Sequence, residues 1–199
     1  MTQLWSNTYN YDALYPKNNR NNYYLFIGSN GRIQTNDLIN NYSIKSILDY
    51  GCGYSNSVQS SCNNFNITDV VISKYDPFIP EFSTHPDTPS DFVVCYNVLQ
   101  FVEPQFLNNV VQDISNLSNK ITLFNIVIPP IGENTVSNTN PIVLKYINAF
   151  QSANLNIVDF KISNTEDKIV ILGNTITDET KTVFRSYNTL DLTILASKT

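Results

Sequence analysis

The chain of 199 residues contains a single histidine, only three cysteines and no stretch of 18 consecutive apolar residues. The missing apolar stretch excludes a membrane-spanning helix read from sequence. One His and three Cys (Cys52, Cys62 and Cys95), none in a C-x-x-C spacing, exclude a structural zinc centre. At least one of the three thiols has no intrachain partner, which fits a reducing compartment, and the cytoplasm is the expected location. The opening MTQLWSNTYNYDALY lacks a basic stretch followed by an apolar one, so no secretory leader is expected. Basic residues are also scarce, 12 against 17 acids for a net charge of −5. No global positive field steers the chain onto nucleic acid, and no nucleic-acid partner is expected. Charged residues make up 15% and hydrophobic residues 42%, so neither charge-driven disorder nor a coiled coil is indicated. Such a length and composition predict one domain over residues 1–199 with a substantial core.

Asparagine is abundant, with 29 copies spread along the chain rather than gathered in one tract. Residues 1–34 are rich in Asn and Tyr and show no sustained period. They read as an N-terminal arm packing through Trp5, Tyr9, Tyr11, Tyr15, Tyr23, Tyr24 and Phe26. Residues 35–43 predict a short helix with Leu38, Ile39 and Tyr42 on one face. Ser46–Tyr50 reads as a strand that stops at Gly51-Cys52-Gly53. Val58, Cys62 and Phe65 then recur at helical spacing. Val70-Val71-Ile72 opens a second strand that ends near Tyr75-Asp76-Pro77, and Phe92–Tyr96 is a third. A helix opens at Pro104, where proline is tolerated, with Leu107, Val110, Val111, Ile114 and Leu117 inward. Ile121–Ile128 is almost continuously apolar, as suits a strand covered on both faces. Asn140-Pro141 starts another helix facing inward through Val143, Tyr146, Ile147 and Phe150. Leu155–Ile162 and Lys168–Leu172 predict a hairpin, and Leu190, Leu192 and Ile194 alternate as in a further strand.

Strands alternating with helices, then a hairpin, predict an α/β sheet with helices on both faces. The core is expected over 35–175, with 176–199 as a C-terminal extension. Ligands on such sheets bind beyond the carboxyl ends of the strands. The loop after the first strand is therefore the first place to look. Gly51 and Gly53 permit a tight turn and close approach of a ligand, and the helix that follows offers free N–H groups. The dinucleotide pattern G-x-G-x-x-G fails at its sixth position, Asn56, and the pattern is acid-x-G-x-G instead.

Three stretches in this order carry a resemblance: Ile47-Leu48-Asp49-Tyr50-Gly51-Cys52-Gly53, Tyr75-Asp76-Pro77, and Asp91 to Pro104 with Asn97-Val98-Leu99-Gln100-Phe101 inside it. Together they resemble class I S-adenosylmethionine (SAM)-dependent methyltransferases. They are most similar to short methyltransferase-like proteins often encoded by bacteriophages. The resemblance covers residues 44–130 and implies a Rossmann-like, mostly parallel sheet with SAM as cofactor. It implies that Gly51, Cys52 and Gly53 pass under the methionine part of SAM. Asp49 would organise the loop and help hold the amino group, and Asp76 would accept the ribose hydroxyls. Asn97 and Val98 would border the methyl group. SAM offers a carboxylate, an ammonium, a sulfonium and a diol, which call for N–H donors and fixed carboxylates of this kind.

Three departures from the family pattern stand out. Ser55 occupies a position where the family often has a third glycine. The run after the third strand often reads D-V-L-E-H in the family and here carries only neutral or apolar side chains. The fourteen residues 77–90 hold Pro77, Pro80, Pro86 and Pro89 and cannot contain two helices and a strand. The usual third edge strand is therefore expected to be missing, replaced by a Pro-rich loop near the adenine. His85 in that loop, weighed against a solvated loop residue, and Glu133 after Pro129-Pro130, in a loop placed to line the acceptor pocket, are the candidates for a base. Two functions are compatible with these features. One is methyl transfer to an acceptor lodged between the arm and residues 129–140, for which the sequence has no signature. The other is a catalytically silent SAM-fold binding or structural protein.

Overall fold

The computed structural model describes residues 35–64, 66–128, 134–137, 141–164, 169–171, 181–184 and 190–198, and every structural statement below concerns these. The elements run α1 (Thr35–Asn41), β1 (Ser46–Tyr50), α2 (Ser57–Asn64), β2 (Val71–Tyr75), β3 (Ser90–Tyr96), α3 (Pro104–Asn116), β4 (Ser118–Ile128), β5 (Asn134–Ser137), α4 (Pro141–Ser152), β6 (Leu155–Asn164), β7 (Ile169–Ile171), β8 (Lys181–Phe184) and β9 (Leu190–Lys198). Seven strands form one sheet in the order β2-β1-β3-β4-β9-β6-β7, and β5 pairs with β8 in a second, two-stranded sheet. The pairs β2–β1, β1–β3 and β3–β4 are parallel, while β9 lies antiparallel to both β4 and β6. Residues 165–168 link the antiparallel pair β6–β7, so the expected hairpin forms. The fold is α/β and Rossmann-like.

Alternation along the strands divides the core in two. Leu48, Tyr50, Val93, Cys95, Phe124 and Ile126 face α3 and α4, whose Leu107, Val110, Val111, Ile114, Tyr146, Ile147 and Phe150 are all buried. Ile47, Phe92, Val94, Ile121 and Leu123 face the other way, onto Leu38 and Ile39 of α1 and Val58 and Cys62 of α2. Helices thus cover both faces. Phe124 and Phe150 stack with ring centroids 4.3 Å apart. Proline opens both α3 and α4, and the α3–α4 contact is fastened where Ser115 Oγ donates to Ala153 O at 2.8 Å.

Helices α1 and α2 end alike. Ser43 and Asn66 adopt φ of 49° and 56°, and Ile44 and Ile67 donate back to Ile39 O and Cys62 O. This left-handed cap satisfies the last carbonyls and turns an isoleucine back onto the helix. Lys120 Nζ adds bonds to Tyr42 O and Ser43 O, at 3.2 and 2.8 Å.

Among the described residues, β2 is the outermost strand on its side, so the expected third edge strand is missing. The link from β2 to β3 holds only a single 3-10 turn, Pro80–Phe82. It crosses the α3 side of the sheet, where His85 Nε2 lies 2.9 Å from Asp113 Oδ1 of α3. Two features went unread in the sequence. The strand expected from Leu190, Leu192 and Ile194 forms as β9, but it inserts between β4 and β6 as the fifth strand of the main sheet, although 176–199 was set apart as an extension. The β5–β8 pair joins two segments that carry no strand signature. Residues 1–34 and Glu133 lie outside the described residues.

Candidate cofactor site

The carboxyl ends of β1, β2 and β3 converge on the Gly51–Gly53 turn. Gly51 and Gly53 have φ of 74° and 54°, a region that side chains with a Cβ rarely enter. A Cβ at Gly51 would also lie 2.3 Å from Val98 Cγ2, so Val98, two residues past β3, requires a glycine there. Val98 thus packs against the turn. Gly51 and Cys52 N–H both donate to Tyr75 O at the end of β2, at 2.7 and 3.3 Å.

The loop is tied down by Asp76. Its Oδ2 accepts from Gly53 N–H at 2.8 Å and its Oδ1 from Phe78 N–H at 2.9 Å. Asp76 therefore points into the glycine turn. Its side chain is buried, which raises its pKa, while the two backbone donors pull the other way. Each carboxylate oxygen has a further lone-pair site beyond the bond it makes.

Asp49, next to last in β1, has a different environment. It is 4% exposed, and its Oδ2 is buried with no hydrogen-bond partner. Burial lifts its pKa to about 7; Lys74 opposes the shift and the Asp76 charge adds to it. Lys74 stands opposite Asp49 in the β1–β2 register. Its ammonium donates to Ser55 O at 2.6 Å and to Asn56 Oδ1 at 2.5 Å, and sits 5.0 Å from the Phe82 ring centroid. Sequence reading missed Lys74. The available signal was a lone cation in an apolar strand two residues before the strand-end acid.

Ser55 shows why a serine is accepted in the turn. Its Oγ accepts from Ser57 N–H at 3.0 Å, capping the start of α2. Asn97, just past β3, takes φ of 56°, donates its N–H to Asn125 O and leaves its buried Oδ1 unpartnered. Gln100 Oε1 is likewise buried without a partner. Asp49, Asn97 and Gln100 therefore present unmatched acceptor oxygens in the segments that end β1 and follow β3. Unmatched buried acceptors cost about 1–3 kcal/mol each, and they suit a ligand that brings N–H or cationic donors.

His85 is placed elsewhere. It pairs with Asp113 and packs edge-on against Tyr75, ring centroids 5.2 Å apart. Tyr50 O–H donates to the second oxygen of the same carboxylate at 2.8 Å. His85 thus fastens the Pro-rich loop to α3. Asp113 went unnoticed in the sequence because it interrupts an otherwise apolar helix face. Cys52, Cys62 and Cys95 are all free and buried, and burial raises each thiol pKa. No cluster of metal-ligating side chains occurs among the described residues.

No protein-family model and no curated protein matches the chain. Solved structures do. A 1,6-didemethyltoxoflavin-N1-methyltransferase from Burkholderia thailandensis, with 1,6-didemethyltoxoflavin and S-adenosylhomocysteine bound, superposes with a TM-score of 0.51. It is 12% identical over 83% of this chain and 76% of that one. A magnesium protoporphyrin IX methyltransferase from Synechocystis PCC 6803, with SAM bound, gives a TM-score of 0.52 at 10% identity, over 81% and 74% of the two chains. At such identities the likeness shows the fold, that of class I SAM-dependent methyltransferases.

Proposed function

We propose that this protein is a SAM-dependent methyltransferase acting on an acceptor that remains to be identified. The observation that carries this reading is the bond from Gly53 N–H to Asp76 Oδ2. It joins the glycine turn of β1 to the strand-end acid of β2, where a cofactor combining a diol and an amino acid would lie. The methyltransferase fold of the neighbours and their bound SAM or S-adenosylhomocysteine support the same reading. When bound, the cofactor supplies a methyl group activated by a sulfonium.

In this reading the chain binds and orients. Asp76 holds the turn and offers its remaining lone pairs to the ribose. Gly51, Cys52 and Gly53 form the floor beneath the methionine part. Asp49 provides an acceptor oxygen toward the amino group, and Asn97 and Val98 border the methyl. Orientation alone supplies on the order of 7–11 kcal/mol in favourable systems, so transfer to a ready nucleophile needs no general base. His85 is engaged by Asp113, which favours a loop-fastening role for it, and Glu133 is retained as a candidate base. The reading includes one domain over 1–199, closeness to short phage-encoded proteins and a cytoplasmic location. Among the described residues, no helix is long and apolar enough to cross a membrane.

Thermal unfolding with SAM and with S-adenosylhomocysteine tests the proposal. A ligand at a hundredfold excess over Kd stabilises the fold by about 2.7 kcal/mol. Absence of any shift at millimolar concentration of either ligand would count against the cofactor. Binding without methyl transfer to any acceptor pool would identify the silent alternative.

A further inference from the structure

We propose that Asp49 is a proton-linked sensor of cofactor charge: it holds a proton in the free protein and gives it to solvent when a cationic ligand enters. This inference rests on the SAM-binding reading and concerns how that site responds to charge. The argument starts from the unequal treatment of two buried carboxylates. Asp76 receives two backbone N–H donors, at 2.8 and 2.9 Å, which stabilise its anion. Asp49 Oδ2 receives none and is closed off from water. Of the two, Asp49 is therefore the cheaper one to protonate.

Among the described residues, Lys74 is the cation that opposes the rise in the Asp49 pKa, and burial outweighs it. From β2, Lys74 faces it but commits its ammonium to Ser55 O and Asn56 Oδ1. Past the end of β2, Asp76 adds repulsion, and the Cys52 and Cys95 thiols from the turn and β3 are held neutral by burial. Burial brings the carboxyl to about 7, so its proton is exchangeable under ordinary conditions. A positive ligand charge beside this pair lowers the cost of the second anion.

SAM carries one net positive charge, and S-adenosylhomocysteine, lacking the sulfonium, carries none. Asp49 thus loses its proton to solvent more completely with SAM than with the demethylated product, and takes one back from solvent once the positive charge has left the site. Substrate and product would then differ in affinity for an electrostatic reason built into β1.

Calorimetry in buffers of contrasting ionisation enthalpy, between pH 5.5 and 7.5, counts the protons. This window lies below the range in which an α-amino group titrates, about 7.7–8.0. At pH 6.0 SAM binding is expected to release close to one proton, and S-adenosylhomocysteine binding clearly fewer. The Kd for SAM should fall close to tenfold from pH 5.5 to 6.5 and flatten above 7. Asp49→Asn should bind both ligands more weakly, with no proton release and a flat pH profile. Wild-type binding of SAM with no proton release at pH 6.0, or equal release for both ligands, would overturn the inference and leave the methyltransferase reading standing. No binding of either ligand at any pH would overturn both. The comparison of the two ligands on wild-type protein decides the matter even if the variant does not fold.

Discussion

The carboxyl edge of β1, β2 and β3 and the layer between the sheet and α3–α4 are built from the same strands on opposite principles. Beneath the helices, Leu48, Val93, Phe124 and Phe150 are buried among apolar neighbours. At the edge, the chain holds left-handed residues at 51, 53 and 97, two buried carboxylates and acceptor oxygens without donors. The helix-covered layer lowers the free energy of the fold, whereas the edge raises it. The unpartnered oxygens of Asp49, Asn97 and Gln100 gather at this edge, which is where a ligand is expected to complete the bonding.

The contrast can be broken from either side. The largest expected effect is in the helix-covered layer. Phe150→Ala removes the ring stacked on Phe124 and should cost about 3–5 kcal/mol in denaturant unfolding. The folded fraction should bind SAM as wild type does. Next is Gly51→Val at the edge, which places a β-branched residue at a φ of 74° and against Val98. Left-handed strain and overpacking together should cost about 2–5 kcal/mol, and here the thermal shift with SAM should vanish as well. Retention of that shift would show that the turn is not the cofactor floor. Asp76→Ala strands the buried N–H of Gly53, at about 1–3 kcal/mol for the donor left without its partner. Calorimetry should show SAM binding lost with it.

A pH series sharpens the comparison further. Burial raises the folded-state pKa of Asp49 to about 7 from an ordinary value of 3.8. The folded state therefore binds this proton more tightly than the unfolded chain. Its contribution to stability is fully present below pH 3.8 and is lost as pH rises through about 7. Free wild-type protein should lose stability across that window by at most about 1.4 kcal/mol per pH unit from this group, and Asp49→Asn should remove this component. A variant whose pH–stability curve superposes on that of wild type would contradict the burial of this carboxyl. The smallest effect belongs to Tyr50→Phe, which deletes one bond to Asp113 for about 0.5–1.5 kcal/mol. It should leave cofactor binding intact, since Asp113 still holds His85.

Much of the parallel half was legible because its signals are local. Ser46–Tyr50 matched β1, and proline placed the starts of α3 and α4. The fourteen residues between Asp76 and Asp91 were too few for the missing edge strand and its helices, a counting argument that needed no partner. Within the site, the turn and the strand-end acid were legible from residue type. The tie to the loop was not: the resemblance implies that Asp49 organises the loop, whereas Asp76 makes the bonds that hold it. Backbone donors reach both oxygens of Asp76, whereas none reaches Oδ2 of Asp49.

Sequence alone determined an α/β chain with a glycine turn after its first strand, an acid ending the second and a shortened link to the third. Each of these follows from periodicity, turn chemistry or chain length, which act over a few residues. Tertiary structure alone decided that β9 inserts between β4 and β6, that His85 fastens to α3, and that Asp76 rather than Asp49 ties the loop. These are choices among distant partners of similar chemistry, resolved only when the whole sheet brings them within hydrogen-bonding reach.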